Sequence, residues 1–389
     1  MLRRTVTQYF VTASQNALLG EQQIAFGSTA LSFAQEWLKP NASTWDAEGI
    51  FPRDVLKEAG KLGFGGLYTR EPYGTAASRL DASVVFEQMA MEDPSTTAYL
   101  TIHNMCCWMI DSFGDEATRA RLLPSLTSFE RTASYCLTEP GSGSDAAALR
   151  TTVSEDGKTL TGQKAFISGA GESSVYVVMA RVGSGNGPKG ITACIVEGPQ
   201  PKALTFGKNE KKLGWKSQPT RQTIFDGAQV SALLGKQGEG FKIAMKGLDG
   251  GRLNIASCSL GAAQRCFDLA VAYTKERKQF GQRIADFQNT QFRLTEMAGK
   301  IHSSRLLIRH AAICIDNGDK DATVLCALAK QQATDLCYEV VDQALQMHGG
   351  YGYLGDYQIE RYLRDLRVHR ILEGTNEIMK HIVSRAILS

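Results

Sequence analysis

The sequence predicts an α+β fold in which a sheet-forming region lies between two helical regions. Apolar residues recur every three or four positions in the first and last parts of the chain. Between about Thr132 and Val230, short β-branched runs bounded by Gly and Ser replace that period. Because helices and strands are segregated rather than alternating, the order favours an α+β architecture without a parallel βαβ sheet.

The region 21–131 is predicted to be an N-terminal helical domain. Ile24, Leu31, Ala34 and Leu38 follow a helical period, and few residues of this region favour strands.

The region 132–236 is predicted to be a small β-sheet domain. The Asp156-Gly157 pair favours a tight hairpin between short strand segments. The runs Val175 to Met179 and Ile191 to Val196 have the composition of buried strands.

The region 237–389 is predicted to be a C-terminal helical domain. Its amphipathic stretches extend from Leu260 to Lys278, from Phe292 to Asn317 and from Ala322 to Met347.

Residues 1–20 differ from the rest of the chain. They contain Arg3 and Arg4, many Ser, Thr and Gln, and no acidic residue before Glu21. This composition is typical of a mitochondrial transit peptide, and a disordered tail is the alternative.

Charge and cysteine usage exclude several classes of protein. Lys plus Arg (43) and Asp plus Glu (40) nearly cancel, so no strongly basic surface for nucleic acid or membrane is expected. Nine scattered cysteines without a Cys-x-x-Cys pair favour buried thiols in a reducing compartment. The six histidines have no metal-ligand spacing, and no run of about 18 apolar residues predicts a membrane span.

Two segments have the residue types of a functional site. The first, Tyr135 to Asp145, contains Gly141 and Gly143 between serines, so a flat ligand could approach the backbone; a sharp hydrogen-bonded turn explains it equally well. In the second, Glu373 ends an apolar run and precedes Gly374, which suits a carboxylate of raised pKa. No Gly-x-Gly-x-x-Gly follows a predicted strand, so the usual dinucleotide fingerprint is missing.

The chain from about Glu21 to its end resembles the acyl-CoA dehydrogenase family. The resemblance rests on Thr138 to Asp145, Arg277 to Gly281 and Gln346 to Ile378, in the family's order and spacing. Further segments are similar to the members that act on short branched-chain substrates: Ser95 to Tyr99, Ile102 to Cys106, Lys208 to Arg221 and Asn254 to Gly261.

The resemblance implies the acyl-CoA dehydrogenase fold, with a four-helix bundle as its C-terminal domain. It also implies an FAD-dependent α,β-dehydrogenase that passes electrons to an electron-transfer flavoprotein, as a homotetramer in the mitochondrial matrix. Isobutyryl-CoA is the expected substrate, and 2-methylbutyryl-CoA and butyryl-CoA are the alternatives. The helix from Thr96 to Met109, with Tyr99 and Trp108, is expected to line the acyl end. An acyl-CoA oxidase and a non-catalytic CoA-binding helical protein are more remote alternatives.

The resemblance also assigns roles to individual residues. Glu373 matches the base that the family carries on a Glu-Gly-Thr motif, here Glu373 to Thr375. Some other members carry the base at a position that is Gly251 here. The Glu373 backbone N–H and a ribityl hydroxyl of FAD are expected to bind the substrate carbonyl. The residues implied to bind FAD are Tyr135, Cys136, Leu137, Thr138, Glu139, Pro140, Gly141, Ser142, Gly143, Ser144, Phe166, Ile167, Ser168, Arg277, Phe280, Phe287, Gln288, Gln346, Met347, His348, Gly349, Gly350, Thr375, Asn376 and Glu377. Those implied to bind the acyl-CoA are Ser144, Asp249, Gly250, Gly251, Arg252 and Arg385.

Three of these residues also have plain structural explanations. Phe166 could be an ordinary strand residue, Arg277 lies in a charged run of the kind that is usually solvated, and Arg385 could simply stabilise a helix end. Arg277 is nevertheless the informative basic residue, because a guanidinium can bind phosphate through two hydrogen bonds.

Overall fold

A computed structural model describes residues 15–16, 18–183, 185 and 187–389. The predicted transit peptide, residues 1–20, lies largely outside the described residues. The chain forms two compact units. The helical unit contains the residues up to Ser43, Arg79–Thr97 and Arg252–Ser389, and the sheet unit contains Thr44–Ser78 and Ala98–Gly251. The division into domains at 21–131, 132–236 and 237–389 describes the chain in a different way and stays a prediction.

The helices of the described residues are, in chain order, α1 (Glu21–Phe33), α2 (Ala42–Glu48), α3 (Arg53–Lys61), α4 (Arg79–Ala90), α5 (Pro94–Phe113), α6 (Glu116–Thr127), α7 (Gly240–Glu276), α8 (Gln288–Asn317), α9 (Ala322–Met347), α10 (Ile359–Leu366) and α11 (Asn376–Leu388). The strands are β1 (Ala133–Cys136), β2 (Thr152–Val153), β3 (Thr159–Ser168), β4 (Val175–Val182), β5 (Ile191–Glu197), β6 (Leu204–Phe206), β7 (Thr220–Leu234), β8 (Lys278–Gln279) and β9 (Gln282–Arg283).

Helix termini follow the local sequence. Asp115 caps α6 by accepting a hydrogen bond from the Thr118 N–H at 2.8 Å. Thr375 caps α11 in the same way, accepting from the Ile378 N–H at 3.3 Å. At the other end of a helix, Gly318 adopts φ +70° directly after α8, a conformation that glycine tolerates best.

The strands of the sheet unit close into a ring. Pairing runs from β4 to β2, β3, β7 and β5, and β5 pairs with β4 again. A closed sheet has no free edge within the ring, and its inward side chains form a core that contains Val153, Leu160, Val178 and Phe225. Strand β1 joins the ring as a parallel neighbour of β4, with Tyr135 opposite Val177.

A bulge interrupts the pairing of β3 with β7 between Lys164 and Ile167. Phe166 lies in this bulge with φ +59°, and 69% of its surface is exposed. Because a bulge redirects a side chain from its strand, this irregularity turns an aromatic ring outward.

The core of the helical unit is built mainly by α7, α8 and α9, through residues such as Leu260, Ile308 and Val340. Two buried arginines share one buried carboxylate beside it. Glu87 accepts from Arg305 at 2.9 Å and from Arg309 at 3.3 Å.

Most element predictions are confirmed. The structure has the α+β class, the hairpin between β2 and β3, and a helix that spans Ala322–Met347. The predicted helix from Leu260 to Lys278 is part of the much longer α7, which ends at Glu276. All nine cysteines are buried and free. None of the described helices is long and apolar enough to cross a membrane.

Candidate functional site

Glu373 lies in a strained turn between α10 and α11. Its φ is +56°, and the φ of the next residue, Gly374, is +91°. A residue with a Cβ in the left-handed region is uncommon and costs conformational energy, so the surrounding structure must hold the turn in place. A backbone outlier of this kind is frequent at functional sites.

The Glu373 side chain is half-buried, and one of its carboxylate oxygens lies in the interior without a hydrogen bond. Its Oε2 atom is shielded from solvent and has no hydrogen-bond partner among the described residues. Burial raises the pKa of Glu373 to about 7, and the positive charges of Arg252 and Lys330 partly oppose that rise. A carboxyl group with this pKa can take up a proton near neutral pH.

Two buried cations bond to the backbone of this turn. Arg252 of α7 donates from Nε to the Glu373 carbonyl at 3.3 Å. Lys330 of α9 donates from Nζ to the Gly374 carbonyl and to Asn376 Oδ1, both at 2.8 Å. The Asn376 amide is oriented at the same time, because its Nδ2 donates to Asp335 at 2.9 Å.

The glycine-rich loop of the sheet unit has a rigid base. Glu139 and Ser142 exchange two backbone hydrogen bonds, at 3.0 and 3.1 Å. The Glu139 carboxylate accepts from the N–H groups of Arg150 (2.6 Å) and Thr151 (2.9 Å) and from the buried Lys164 at 2.8 Å. These contacts, with the Lys164 charge, hold the pKa of Glu139 below its ordinary value despite its burial.

The tip of this loop is open to a ligand. A Cβ added to Gly141 or to Gly143 would meet nothing of the chain within 4 Å, and neither residue has a positive φ. Neither crowding within the chain nor backbone conformation therefore requires glycine at these positions. An external group that approaches the backbone closely would require it, and the exposed aromatic ring of Phe166 in the same unit provides a face for a flat ring system. The loop therefore fits a flavin.

An exposed hairpin, β8–β9, contains other predicted cofactor residues. Phe280 at its tip has φ +53° and 94% of its surface exposed. Phe280 lies edge-on to Phe287 at 6.4 Å, and the Arg277 guanidinium lies 5.7 Å from the ring centre of Tyr351. An aromatic ring as exposed as that of Phe280 is unusual for a surface that contacts only water.

The turn after α9 is ordered by His348. Its ring stacks on Tyr273 at 4.3 Å, and Nδ1 bonds to the Ala344 carbonyl at 2.8 Å. The next two glycines, Gly349 and Gly350, have open space where a Cβ would be, and Gly349 has φ +59°. His348 therefore orders this turn by packing and by hydrogen bonding.

The predicted substrate-binding residues differ in their exposure to solvent. Ser144 is exposed at the end of the glycine-rich loop, and Arg385 is exposed in the last turn of α11. Arg252 is buried and contacts the backbone of Glu373. One of its hydrogen bonds is therefore to the backbone of the candidate base.

Sequence reasoning missed Lys330. The residue occupies the buried face of α9, at helical spacing from Cys326, Ala333 and Cys337, and none of its surface is exposed. A lysine on an otherwise apolar helix face was the available signal, because a buried cation requires partners.

Among the described residues, no cluster of His, Cys, Asp and Glu could hold a metal ion.

Comparison with known proteins assigns most of the chain to one family. Models of the acyl-CoA dehydrogenase N-terminal, middle and C-terminal domains match residues 20–130, 134–228 and 238–388. The chain is 53% identical to the mitochondrial isobutyryl-CoA dehydrogenase of Dictyostelium discoideum, covering 98% of this chain and 92% of that relative. It is 52% identical to the mitochondrial isobutyryl-CoA dehydrogenase of Bos taurus, covering 95% and 90%. The structure of butyryl-CoA dehydrogenase from Megasphaera elsdenii superposes with a TM-score of 0.91 at 35% identity, covering 95% of this chain and 99% of that one.

Proposed function

The chain belongs to the acyl-CoA dehydrogenase family, and from this premise we propose that it converts isobutyryl-CoA to methacrylyl-CoA in valine catabolism. It is an FAD-dependent enzyme that acts on short branched-chain acyl-CoA thioesters. Its electron acceptor is an electron-transfer flavoprotein, and its compartment is the mitochondrial matrix. The mitochondrial relatives support this compartment.

The observation that carries the proposal is the Oε2 atom of Glu373, which is shielded from solvent and has no hydrogen-bond partner among the described residues. Removal of the weakly acidic α-proton of a thioester requires a base that is strong enough and free to move onto the proton. The pKa of about 7 gives Glu373 more basicity than an exposed carboxylate, and its missing hydrogen bond leaves a lone pair available.

The backbone of the same residue supports the second requirement of the reaction. The Glu373 N–H donates no hydrogen bond within the described residues, so it is available to the thioester carbonyl. A donor at that oxygen stabilises the negative charge that develops as the α-proton leaves.

Bound FAD would supply the acceptor for the β-hydride of the substrate, at N5 of its ring system. We assign its ring system to the loop from Tyr135 to Ser144 and to Phe166–Ser168. Its phosphates and adenosine are assigned to Arg277, to Phe280 and its neighbours, and to Gln346–Gly350, with Thr375–Glu377 completing the contacts. The open glycines and the exposed aromatic rings described above support this assignment.

The substrate proposal is tested by flavin reduction under anaerobic conditions with isobutyryl-CoA, 2-methylbutyryl-CoA, butyryl-CoA and octanoyl-CoA. Isobutyryl-CoA should give the highest kcat/KM. The 2-methylbutyryl thioester should follow within about two decades, because one methylene in an apolar pocket is worth only about 1 to 3 kcal/mol. A preference for a straight chain of six or more carbons would rule out the valine-pathway role while leaving the family intact.

The wall of the acyl pocket is best tested at Trp108. Tyr99 was the other predicted wall residue, but its ring is fully buried and its hydroxyl donates to the Ala133 carbonyl at 3.2 Å. Its truncation would therefore perturb folding as well as specificity. Trp108 is half-buried and lies edge-on to Phe113 at 5.7 Å, so Trp108→Ala tests chain-length preference with less structural damage.

The base is tested by Glu373→Gln. The amide has the same shape but cannot accept the α-proton, so turnover should fall at least about a hundredfold while FAD stays bound. Rapid-mixing measurement of flavin reduction gives the rate, and the flavin absorbance gives the cofactor content. Glu339→Gln, at an exposed glutamate that pairs with Lys300, is the matched control and should keep full activity. Near-normal turnover of Glu373→Gln would contradict the assignment.

A further inference from the structure

We propose that Lys330 is the positioning residue of the base. Its hydrogen bonds hold the Glu373–Gly374 turn in place, and its positive charge favours the ionised form of the Glu373 carboxylate. The inference rests on the proposed role of Glu373 and extends it to a residue outside the motifs that identify the family. It is carried by the burial of Lys330, by its two hydrogen bonds and by the backbone strain of the turn.

The position of Lys330 is fixed by neutral acceptors. Its Nζ bonds to a backbone carbonyl, that of Gly374, and to the side-chain carbonyl of Asn376. No carboxylate of the described residues lies within ion-pair distance of Nζ. A buried ammonium without an adjacent carboxylate is costly, so its presence requires a compensating role or a more distant negative charge.

Glu373 is the main source of that charge. Burial lowers the pKa of Lys330 to about 7, and the charge of Glu373 is the largest influence that raises it again. Lys330 in turn lowers the pKa of Glu373. Since each charge stabilises the other, the ionisation of the carboxylate is coupled to that of the ammonium.

The hydrogen bonds of Lys330 explain why this pairing does not block the base. A direct ion pair would occupy the carboxylate oxygens and reduce their basicity. Lys330 instead donates to the carbonyl of the following residue, and Arg252 donates to the carbonyl of Glu373 itself. Both cations therefore act on the carboxylate through space while Oε2 stays without a hydrogen bond.

Other charged groups also act on the Lys330–Glu373 pair, and one of them, Asp335, is itself paired with Arg370 at 2.6 Å. Arg252 opposes the charge of Lys330, and Asp335 and Glu377 support it. His369 is fully buried and bonds to Ser259 at 2.7 Å. Burial and the Lys330 charge lower the pKa of His369 to about 3, so this ring is neutral at the pH of any assay and does not compete for the role.

The test compares the pH profiles of kcat/KM for three holoenzymes. Lys330→Gln removes the charge but keeps an N–H donor for the Gly374 carbonyl, whereas Lys330→Arg keeps the charge. The loss of the positive charge destabilises the carboxylate and raises its pKa. The acid limb of Lys330→Gln should therefore lie about half to one pH unit above that of the wild type. Its rate at pH 7 should fall about twofold to fivefold and recover towards pH 9.

The outcomes separate a charge effect from a purely structural one. Lys330→Arg should leave the acid limb near its wild-type position even where its rate is lower. A Lys330→Gln rate that is reduced equally at every pH, with the limb unmoved, would overturn the proposal. Lys330→Met is the second neutral variant: failure of both neutral variants to yield FAD-bound protein, with Lys330→Arg folded, would also overturn it by assigning Lys330 to folding.

A control variant and the substrate assay separate the role of Lys330 from the role of Glu373 as the base. Lys300→Gln removes a half-buried lysine that pairs with Glu339, and its profile should match the wild type. Wild-type activity on a short acyl-CoA together with an inactive Glu373→Gln upholds the function whatever Lys330 does. Activity retained by Glu373→Gln would refute the base and, with it, the role of Lys330.

Discussion

Glu373 combines two unfavourable states that neighbouring residues maintain. Its φ of +56° is costly for a residue with a Cβ, and its buried carboxylate would prefer to be neutral. Arg252 and Lys330 bond to the carbonyls of the turn and supply positive charge to the carboxylate. The same two contacts thus offset both the backbone strain and the desolvation of the base.

His103 shows the opposite use of a buried titratable residue, because it stabilises the sheet unit only when neutral. Its Nδ1 accepts from the Ala133 N–H at 3.1 Å, so the proton lies on Nε2, which donates to the Leu126 carbonyl at 3.0 Å. The ring stacks on Phe129 at 4.3 Å. A second proton would leave Nδ1 unable to accept, and it would place a charge in the core.

His103 should make the protein acid-sensitive. Burial lowers its pKa to about 4 from 6.5. Its contribution is therefore fully present above pH 6.5 and is lost as the pH falls through 6.5 towards 4, when the unfolded chain takes up a proton that the folded chain does not. The loss amounts to about 3 kcal/mol at most. In a series of melting temperatures measured from pH 8 to pH 4, the decrease should occur between pH 6.5 and pH 4. His103→Gln should be less stable at pH 8 but should have a flatter profile, and an unchanged slope would contradict the assignment.

At the scale of elements, the glycine-rich loop and the β3 bulge have a common property. The loop exposes glycine backbone, and the bulge exposes the ring of Phe166. Packing within the chain requires neither of these exposed groups. The Lys164–Glu139 contact at 2.8 Å links the loop to β3 immediately before the bulge. A preformed surface of this kind lowers the ordering cost of binding a rigid ring system.

Gly143→Val tests whether a ligand, rather than folding, requires glycine in the loop. The apo-protein should keep its melting temperature, because the added Cβ meets nothing of the chain within 4 Å. FAD affinity should fall at least about tenfold, since the new side chain would occupy the space proposed for the cofactor. Titration of apo-protein with FAD, followed by flavin fluorescence, measures the change. Undiminished affinity would remove the loop from the cofactor site.

Gly374→Ala tests the turn that holds the base. At φ +91°, a Cβ is strained and would lie 2.6 Å from the Met379 Cε atom, although that methyl group can move. The backbone cost of about 1 to 2 kcal/mol should shift the turn and lower kcat, while FAD stays bound. Gly299→Ala is the matched control, because Gly299 lies within α8 with open space for a Cβ. Equal turnover of Gly374→Ala and wild type would show that the turn tolerates the change.

The sequence predicted these elements more fully than it predicted their contacts. Helical period located α9 to the residue, and Asp156-Gly157 located the β2–β3 hairpin, because both depend on local pattern. Ring closure of the strands depends on pairing between distant segments and has no local signature. For the same reason the Glu-Gly-Thr motif predicted Glu373, whereas the contact from Lys330, 43 residues away from Glu373 in the chain, required the structure.

At the scale of the whole molecule, the exposed aromatic surface of the helical unit indicates an interface. Phe280 and Tyr353 are 94% and 82% exposed, and Tyr351 lies 5.1 Å from Tyr357. An apolar surface of this kind beside Arg277 suits contact with another subunit and its cofactor better than contact with water. We propose a homotetramer in which this surface reaches the FAD of a neighbouring subunit.

Assembly and cofactor content should then be linked, because FAD that binds only the assembled form stabilises that form by mass action. Phe280→Asp places a charge in the proposed interface and should cause dissociation and FAD loss together. The affinity between subunits and the affinity for FAD should each fall at least about tenfold. Leu62→Asp makes the same kind of change at another exposed apolar residue, in the sheet unit, and should leave both unchanged. Analytical ultracentrifugation monitored at both protein and flavin wavelengths measures the two quantities in one run. A stable wild-type monomer with one FAD per chain would contradict the linkage, because its cofactor would not need a neighbouring subunit.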